Sequence, residues 1–269
     1  MGSQMAGGRY VEFLLTDRVA ELERRIKELE RHGFNDNPLG DLASALVTLP
    51  EVRGVWVPSS VNESGNVFDL SEQGRTLTNT GTVTRGVYNG VVPYAELNGS
   101  SQYFTRASEA GLTVTAGGLT VLTWMWADAL TASMCACAKG DSTATNRNYD
   151  LYLRGDLAND PLEASVANGS TVLTASATSL VTASTFFMAG VRWTPGVSVD
   201  LLFNGTVAAS NTTSIPETIN SSTAAFQVGA RNAANHWDGR WFMTVLCASA
   251  LSNKAVTNIY SLAARVLGV

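Results

Sequence analysis

The chain has 269 residues, of which 45% are hydrophobic and 15% charged, which is enough for one large β domain with an appendage. The formal net charge of −5 does not provide the basic face that binds nucleic acid or an anionic membrane, so we expect neither partner. No apolar run reaches the roughly 18 residues of a membrane-spanning helix, so membrane insertion is not expected.

The N-terminal region predicts a helix that joins copies of the chain. Residues 1–9 are expected to be disordered or derived from expression, and residues 10–33 repeat apolar side chains at alternating spacings of three and four, as in a coiled coil. Arginine and glutamate flank the apolar layers in a doubled order that resembles the trimerisation motif of parallel coiled coils. We therefore expect a homotrimer. The predicted seam consists of Leu15, Arg18, Val19, Leu22, Glu23, Arg25, Ile26, Leu29 and Glu30.

Two alternatives to the trimer stay open. The β-branched residues Val19 and Ile26 at one apolar position, with leucine at the other, are typical of two-stranded coils. A helix this short also needs packing from elsewhere, which its own globular domain could provide.

Residues 34–51 are predicted to be a linker with a short helix. Gly33 ends the first helix, and Asn37 is placed to cap a second one that starts at Pro38 and stops before Pro50.

From Val52 onward the sequence changes to a β pattern with many short candidate strands and tight turns, which predicts an antiparallel sandwich over residues 52–269. A final helix is expected after Leu251, with Ser252 as its cap. The candidate strands are Leu119 to Trp126, Asp150 to Arg154, Phe186 to Trp193, Val199 to Phe203, Ala225 to Ala230 and Trp241 to Ala248.

Two finer predictions follow from this pattern. In the last candidate strand Trp241, Met243, Val245 and Cys247 alternate and should share one face. Asn-Gly pairs favour type I′ hairpin turns because both central residues need positive φ. The pairs are Asn89-Gly90, Asn98-Gly99, Asn168-Gly169 and Asn204-Gly205.

The order of several short motifs over about residues 52 to 262 resembles the laminin-G-like domains of the concanavalin A-like lectin/glucanase superfamily. The motifs are Gly54-Val55-Trp56, Phe68-Asp69-Leu70-Ser71, the run from Ala95 to Phe104, Leu119 to Trp124, Ala138-Lys139-Gly140, Val199 to Gly205, Phe226 to Gly229, Trp237 to Arg240 and Ala250 to Ser252. The resemblance implies a mainly β, jelly-roll sandwich. A coiled-coil stalk ahead of such a sandwich is similar to a bacteriophage fibre, spike or head-decoration protein, which implies a place on the virion.

Catalytic patterns are missing from the sequence. The superfamily's retaining glucanases use Glu-x-Asp-x-x-Glu, which does not occur here, and Asp200 has no acidic neighbour. Only His32 and His236 could serve a Ser-His-Asp triad, and His32 belongs to the stalk. We therefore expect a non-enzyme.

No cofactor is predicted, although calcium stays open. Laminin-G-like relatives often hold the ion with dispersed oxygen ligands, so Asp69, Asp141 and Asp238 are candidates, with turn-forming hydrogen bonds as the alternative use. Cys135, Cys137 and Cys247 are an odd set, and the first two should share a strand face, so we interpret them as buried apolar residues of a chain made in a reducing cytosol.

Two loops, over 141–149 and 231–237, combine amide, guanidinium and aromatic side chains, a mixture that suits a glycan and equally an ordinary polar loop. Their candidate ligand-binding residues are Asn146, Arg147, Tyr149, Arg231, Asn232, Asn235, His236 and Trp237. We predict a non-enzymatic trimeric virion protein, made in the host cytoplasm, that contacts other virion proteins and a host-surface glycan. The alternatives are a purely structural capsid decoration protein and a carbohydrate-active hydrolase.

Overall fold

A computed structural model of the chain describes Arg24 and residues 38–267. The other residues of the predicted coiled coil lie outside this part, so the coiled coil stays a prediction. The described residues are mainly β-strand and form two antiparallel sheets, which confirms the predicted class. No helix in this part of the chain combines the length and the apolar character that a membrane span needs.

The chain begins this fold with helix α1 (Pro38–Leu46) and ends it with helix α2 (Asn253–Leu267). A short 3-10 turn covers Ala110–Leu112. The strands are β1 (Val52–Val61), β2 (Val67–Asp69), β3 (Thr78–Thr80), β4 (Thr84–Tyr88), β5 (Val92–Asn98), β6 (Tyr103–Arg106), β7 (Leu119–Ala127), β8 (Ser133–Gly140), β9 (Arg147–Arg154), β10 (Leu162–Ala167), β11 (Val172–Ala177), β12 (Phe186–Thr194), β13 (Ser198–Phe203), β14 (Thr206–Asn211), β15 (Phe226–Val228) and β16 (Asp238–Cys247).

Within the described residues, the first sheet has nine strands in the order β14-β13-β12-β7-β16-β1-β2, with β5 paired to β16 and β4 to β5. The second sheet has seven, in the order β11-β10-β9-β8-β15-β6-β3. Alternate side chains of both sheets meet in one core that includes Trp56, Trp193, Trp237 and Phe226. Burying one large apolar side chain contributes about 1.5–3 kcal/mol, so this core is the main source of stability.

The two helices cover the opposite face of the first sheet. Leu42 of α1 and Ile259 of α2 belong to a second apolar cluster together with Val55 of β1 and Trp124 of β7. The backbone N–H of Ala255 donates to the hydroxyl of Ser252 at 3.2 Å, which confirms the predicted cap of α2. Strands β7 and β16 are therefore buried on both faces.

Two β-bulges correct the predicted side-chain directions. In β16 the register shifts between Trp241 and Met243. Trp241 therefore faces the core between the sheets, while Met243, Val245 and Cys247 face the helices. The prediction that all four share one face is wrong because the extra residue reverses the alternation.

The second bulge separates the two neighbouring cysteines. In β8 the register shifts between Cys135 and Cys137, so Cys137 lies in the core and Cys135 on the outer face of the second sheet, beside Tyr152. The predicted common face is therefore wrong. All three cysteines are free and buried, as expected, and burial raises the pKa of each thiol.

The Asn-Gly pairs divide into two kinds. Asn89-Gly90 and Asn204-Gly205 have positive φ at both residues, as a type I′ turn requires. At the other two pairs only the glycine has positive φ, and the asparagine side chain caps the loop instead. The amide oxygen of Asn98, for example, accepts from the backbone N–H of Ser100 at 3.1 Å and of Ser101 at 3.0 Å. These side-chain hydrogen bonds stabilise the two turns in place of the type I′ geometry that we predicted there.

Candidate ligand-binding pocket

The outer face of the second sheet carries an open pocket of about 590 Å³, within the size range of small-molecule sites. It lies over strands β8 to β11 and beside the loop that follows β15. Its lining is polar and charged, in contrast to the helix-covered face of the first sheet. The lining residues are Ser133, Ser142, Arg147, Tyr152, Arg154, Asp156, Glu163, Val172, Arg231 and Asn235.

Strand alternation places the side chains of the pocket floor. In β9 the side chains of Tyr149, Leu151 and Leu153 enter the core, so Asp150 and Tyr152 between them point outward. The neighbouring strand β10 places Glu163 beside Tyr152, because the two residues are paired in the sheet register.

One side of the pocket contains two arginines on one buried carboxylate. Arg231 Nη1 lies 2.8 Å from Asp150 Oδ2, and Arg147 Nε lies 3.5 Å from the same oxygen. The guanidinium carbon of Arg231 lies 4.3 Å from the centre of the Tyr152 ring, a cation–π contact. Asp150 is 1% exposed, and within the described part of the chain its Oδ1 atom has no hydrogen-bond partner.

The other side has the opposite balance, with two acids around one arginine. Arg154 donates from Nε to Asp156 Oδ1 and from Nη2 to Asp156 Oδ2, both at 3.0 Å. Its Nη1 lies 3.8 Å from Glu163 Oε1. The hydroxyl of Ser133 also donates to Asp156.

The pKa values of these groups follow from burial and from their neighbours. Burial raises the pKa of Glu163, against the opposing effect of Arg154. The hydrogen bonds from Arg154 and Ser133 lower the pKa of Asp156. Burial alone would lower the pKa of Arg231, but the Asp150 carboxylate outweighs it and the pKa is raised. Arg154 and Arg231 therefore stay cationic, and burial disfavours the charged form of Glu163.

This arrangement is suited to binding by oriented hydrogen bonds. Guanidinium groups fixed by Asp150 and Tyr152 offer planar donors, and Asp156 and Glu163 offer acceptors. Among the described residues no group of three or more His, Cys, Asp or Glu could hold a metal ion.

The structure brings three of the predicted ligand-binding residues into the pocket, namely Arg147, Arg231 and Asn235. Arg147 reaches it from the start of β9, where we had predicted a loop. Its Nη2 donates to the carbonyl of Ser142 at 3.0 Å, which ties the strand to the preceding loop.

Three others lie outside the lining. Asn146 stabilises its loop, because its Oδ1 accepts from the backbone N–H of Thr223 at 3.1 Å. Asn232 is exposed with positive φ. His236 packs against Tyr103 with ring centres 5.6 Å apart, and burial lowers its pKa.

Tyr149 and Trp237 require a correction, because both are fully buried in the core. The Tyr149 hydroxyl donates to the carbonyl of Leu112 at 2.9 Å, and Trp237 Nε1 donates to the carbonyl of Trp126 at 3.0 Å. A side chain without exposed surface cannot stack on a ligand, so neither belongs to the candidate site.

Sequence reasoning missed the remaining side chains of the pocket. Tyr152, Arg154 and Glu163 are on strands, whereas all the ligand-binding residues predicted from the sequence were in predicted loops. The signal was present as Asp150-x-Tyr152-x-Arg154, a period-two row of polar residues opposite an apolar row.

Two of the candidate calcium ligands accept backbone hydrogen bonds within their own turns, and Asp69 accepts one more from β1. Asp69 Oδ1 accepts from the backbone N–H of Ser71 at 2.9 Å and of Val55 at 3.1 Å. Asp141 Oδ1 accepts from the backbone N–H of Thr143 at 2.8 Å. Both fit the turn-forming use of aspartate.

No protein-family model and no curated protein matches the sequence. Solved structures, in contrast, share the fold. The binding domain of botulinum neurotoxin serotype G has a TM-score of 0.62 at 12% identity, with 79% of this chain and 51% of that chain covered. The binding domain of Paraclostridial Mosquitocidal Protein 1 has 0.60 at 11%, with 78% and 52% covered, and that of botulinum neurotoxin serotype D has 0.60 at 10%, with 82% and 52%.

This chain thus spans about half the length of the solved structures it matches. At these identities the likeness establishes a common β architecture. These neighbours are binding domains of botulinum neurotoxins and of Paraclostridial Mosquitocidal Protein 1, and two further matches are described as receptor binding domains of botulinum neurotoxins.

Proposed function

We propose that the protein is a non-enzymatic surface-binding module that recognises a carbohydrate through the pocket on its second sheet. The observation that carries this proposal is the set of fixed guanidinium groups around Asp150 and Tyr152 on an open sheet face. The binding role of the structural neighbours supports the same class of function.

Carbohydrate suits the pocket because of its mixture of partners. Sugar hydroxyls both donate and accept, and the lining supplies donors from Arg231 and Asn235 and acceptors from Asp156 and Glu163. The pocket is open and polar, and several joined copies of it would strengthen binding to a surface.

We further propose, from the heptad pattern of residues 10–33, that three copies of the chain are joined. The resemblance of residues 52–262 to laminin-G-like domains supports our proposals of concanavalin A-like jelly-roll connectivity and of a place on a virus particle. Once one domain has bound a surface, its siblings meet that surface at high effective concentration, which multiplies affinity by about 10²–10⁴. Ile26→Lys should therefore give monomers in light scattering, because a charge enters the apolar seam. An unchanged mass would refute the trimer.

The binding proposal is tested with a glycan array and a host-cell pull-down. Wild-type protein should bind a set of glycans on the array. Arg231→Ala should not bind them, although its circular dichroism spectrum matches that of the wild type. Arg53→Ala is the matched control, because Arg53 lies on β1 of the first sheet and forms an exposed pair with Glu51 at 3.2 Å. A blank array and pull-down for wild type, or equal retention by Arg231→Ala, would remove the proposal.

A further inference from the structure

The charges of the pocket are divided unequally between its two sides. On one side Arg147 and Arg231 share the single carboxylate of Asp150. On the other side Asp156 and Glu163 share the single guanidinium of Arg154. The pocket is therefore polarised, with an excess of positive charge at one end and of negative charge at the other.

The positive end has donors to spare. Arg231 donates to Asp150 from Nη1, and Arg147 donates to the carbonyls of Asp141 and Ser142 from Nε and Nη2. Within the described part of the chain, Nη1 of Arg147 and Nε and Nη2 of Arg231 make no further hydrogen bond. A guanidinium carries no acceptor, so only an anionic or neutral acceptor from outside can complete these groups.

Burial strengthens the effect of the positive charge that Asp150 alone does not balance. The side chains of Arg147 and Arg231 are only 10% and 12% exposed, so water screens them little. Charges in such places are normally paired, because an unpaired buried charge is costly. The carboxylates of Asp141 and Glu163 act on these arginines only at longer range, so a second carboxylate in direct contact would balance the two guanidinium groups.

We infer that the ligand is an acidic saccharide, with a sugar carboxylate on Arg147 and Arg231 and ring hydroxyls donating to Asp156 and Glu163. A planar carboxylate matches the paired N–H groups of a guanidinium. This inference rests on the proposed function and specifies its substrate class.

The negative end argues against a simple anion site. Phosphate or sulfate would bring more charge close to Asp156 and Glu163, whereas a hexuronate brings one negative charge and several hydroxyl donors. One hexuronate molecule therefore complements both ends of the pocket, with its carboxylate at the positive end and its hydroxyl groups at the negative end.

The test compares the binding of D-glucuronate and D-glucose, of which only glucuronate carries a carboxylate. Calorimetry or NMR titration at neutral pH measures both affinities. We expect glucuronate to bind at least about ten times more tightly than glucose, which is the range for a charge-assisted contact. Arg231→Gln should remove this preference, and Arg231→Lys should restore only part of it, because lysine keeps the charge but not the planar donors. Arg53→Gln should leave the preference unchanged.

The outcomes separate the inference from the proposed function. Equal binding of the two sugars would overturn the acidic class and leave carbohydrate binding intact. Competition by inorganic phosphate as strong as by glucuronate would overturn it in favour of a general anion site. Absence of binding by either sugar, with a blank array, would refute both statements. Folding of each variant is checked by its NMR spectrum.

Discussion

Arg231 and Tyr152 form the central contact of the candidate pocket, with the guanidinium carbon 4.3 Å from the ring centre. The ring holds the cation over Asp150, and a cation–π contact of this kind contributes about 0.5–2 kcal/mol. Arg231 comes from a loop and Tyr152 from β9, so the contact also fixes the loop to the sheet.

Tyr152→Leu should weaken saccharide binding about threefold to tenfold, because Arg231 loses the surface that orients it. Titration calorimetry with the best glycan of the array measures the loss. Tyr152→Phe keeps the ring and should bind like wild type. Equal weakening by both variants would assign the effect to the hydroxyl and contradict the cation–π explanation.

We expect Lys139 to make the stability of the protein rise with pH. This residue is fully buried, and its Nζ donates to the carbonyls of Ser222 at 2.7 Å and Ala224 at 2.5 Å and to the hydroxyl of Ser108 at 3.0 Å. Burial lowers its pKa from 10.5 to about 8. Between these values the unfolded chain binds more protons than the folded protein, so this residue makes the free energy of unfolding rise with pH.

Urea unfolding at pH values from 7.5 to 10.5 checks this expectation. The contribution of Lys139 is least favourable below pH 8, where both states are charged, and improves up to about pH 10.5. Lys139→Met should lack that component of the slope. Identical pH profiles for the two proteins would show that the ammonium is not desolvated as the structure indicates.

Asp200 forms a buried pair with Arg192, with Oδ2 2.7 Å from Nη2 and 2.9 Å from Nε. Asp200→Asn should lower the free energy of unfolding by about 3–5 kcal/mol, because it leaves the Arg192 charge uncompensated. Glu51→Gln is the control, since its pair with Arg53 is exposed and worth about 0–1 kcal/mol. Chemical denaturation measures both, and similar effects would contradict the burial argument.

Trp237 is expected to act on stability alone. Trp237→Ala removes a fully buried indole and should cost about 3–5 kcal/mol, while Trp237→Phe should cost less because the cavity is smaller. Glycan binding by Trp237→Phe, measured where that variant is folded, should match wild type. Loss of glycan binding by the folded Trp237→Phe variant would contradict this expectation and indicate that Trp237 takes part in binding.

The sequence predicted the β-sheet class and the cap of α2 because these depend on local pattern. The 3.2 Å bond from Ala255 to Ser252 is such a local device. The sequence could not predict the bulges at Ala136 and Phe242, because these depend on pairing with distant strands. The same reason applies to the pocket. Arg147 and Arg231 are recognisable in the sequence as polar residues of predicted loops, whereas Glu163 joins the pocket only after β9 and β10 have paired.

The helices occupy one side of the sandwich only. Helix α1 packs on the first sheet, and the pocket opens on the outer face of the second sheet. Helix α1, with which the described fold begins, therefore lies on the side of the sandwich away from the pocket. A ligand in the proposed site would thus approach a sheet face that neither helix covers.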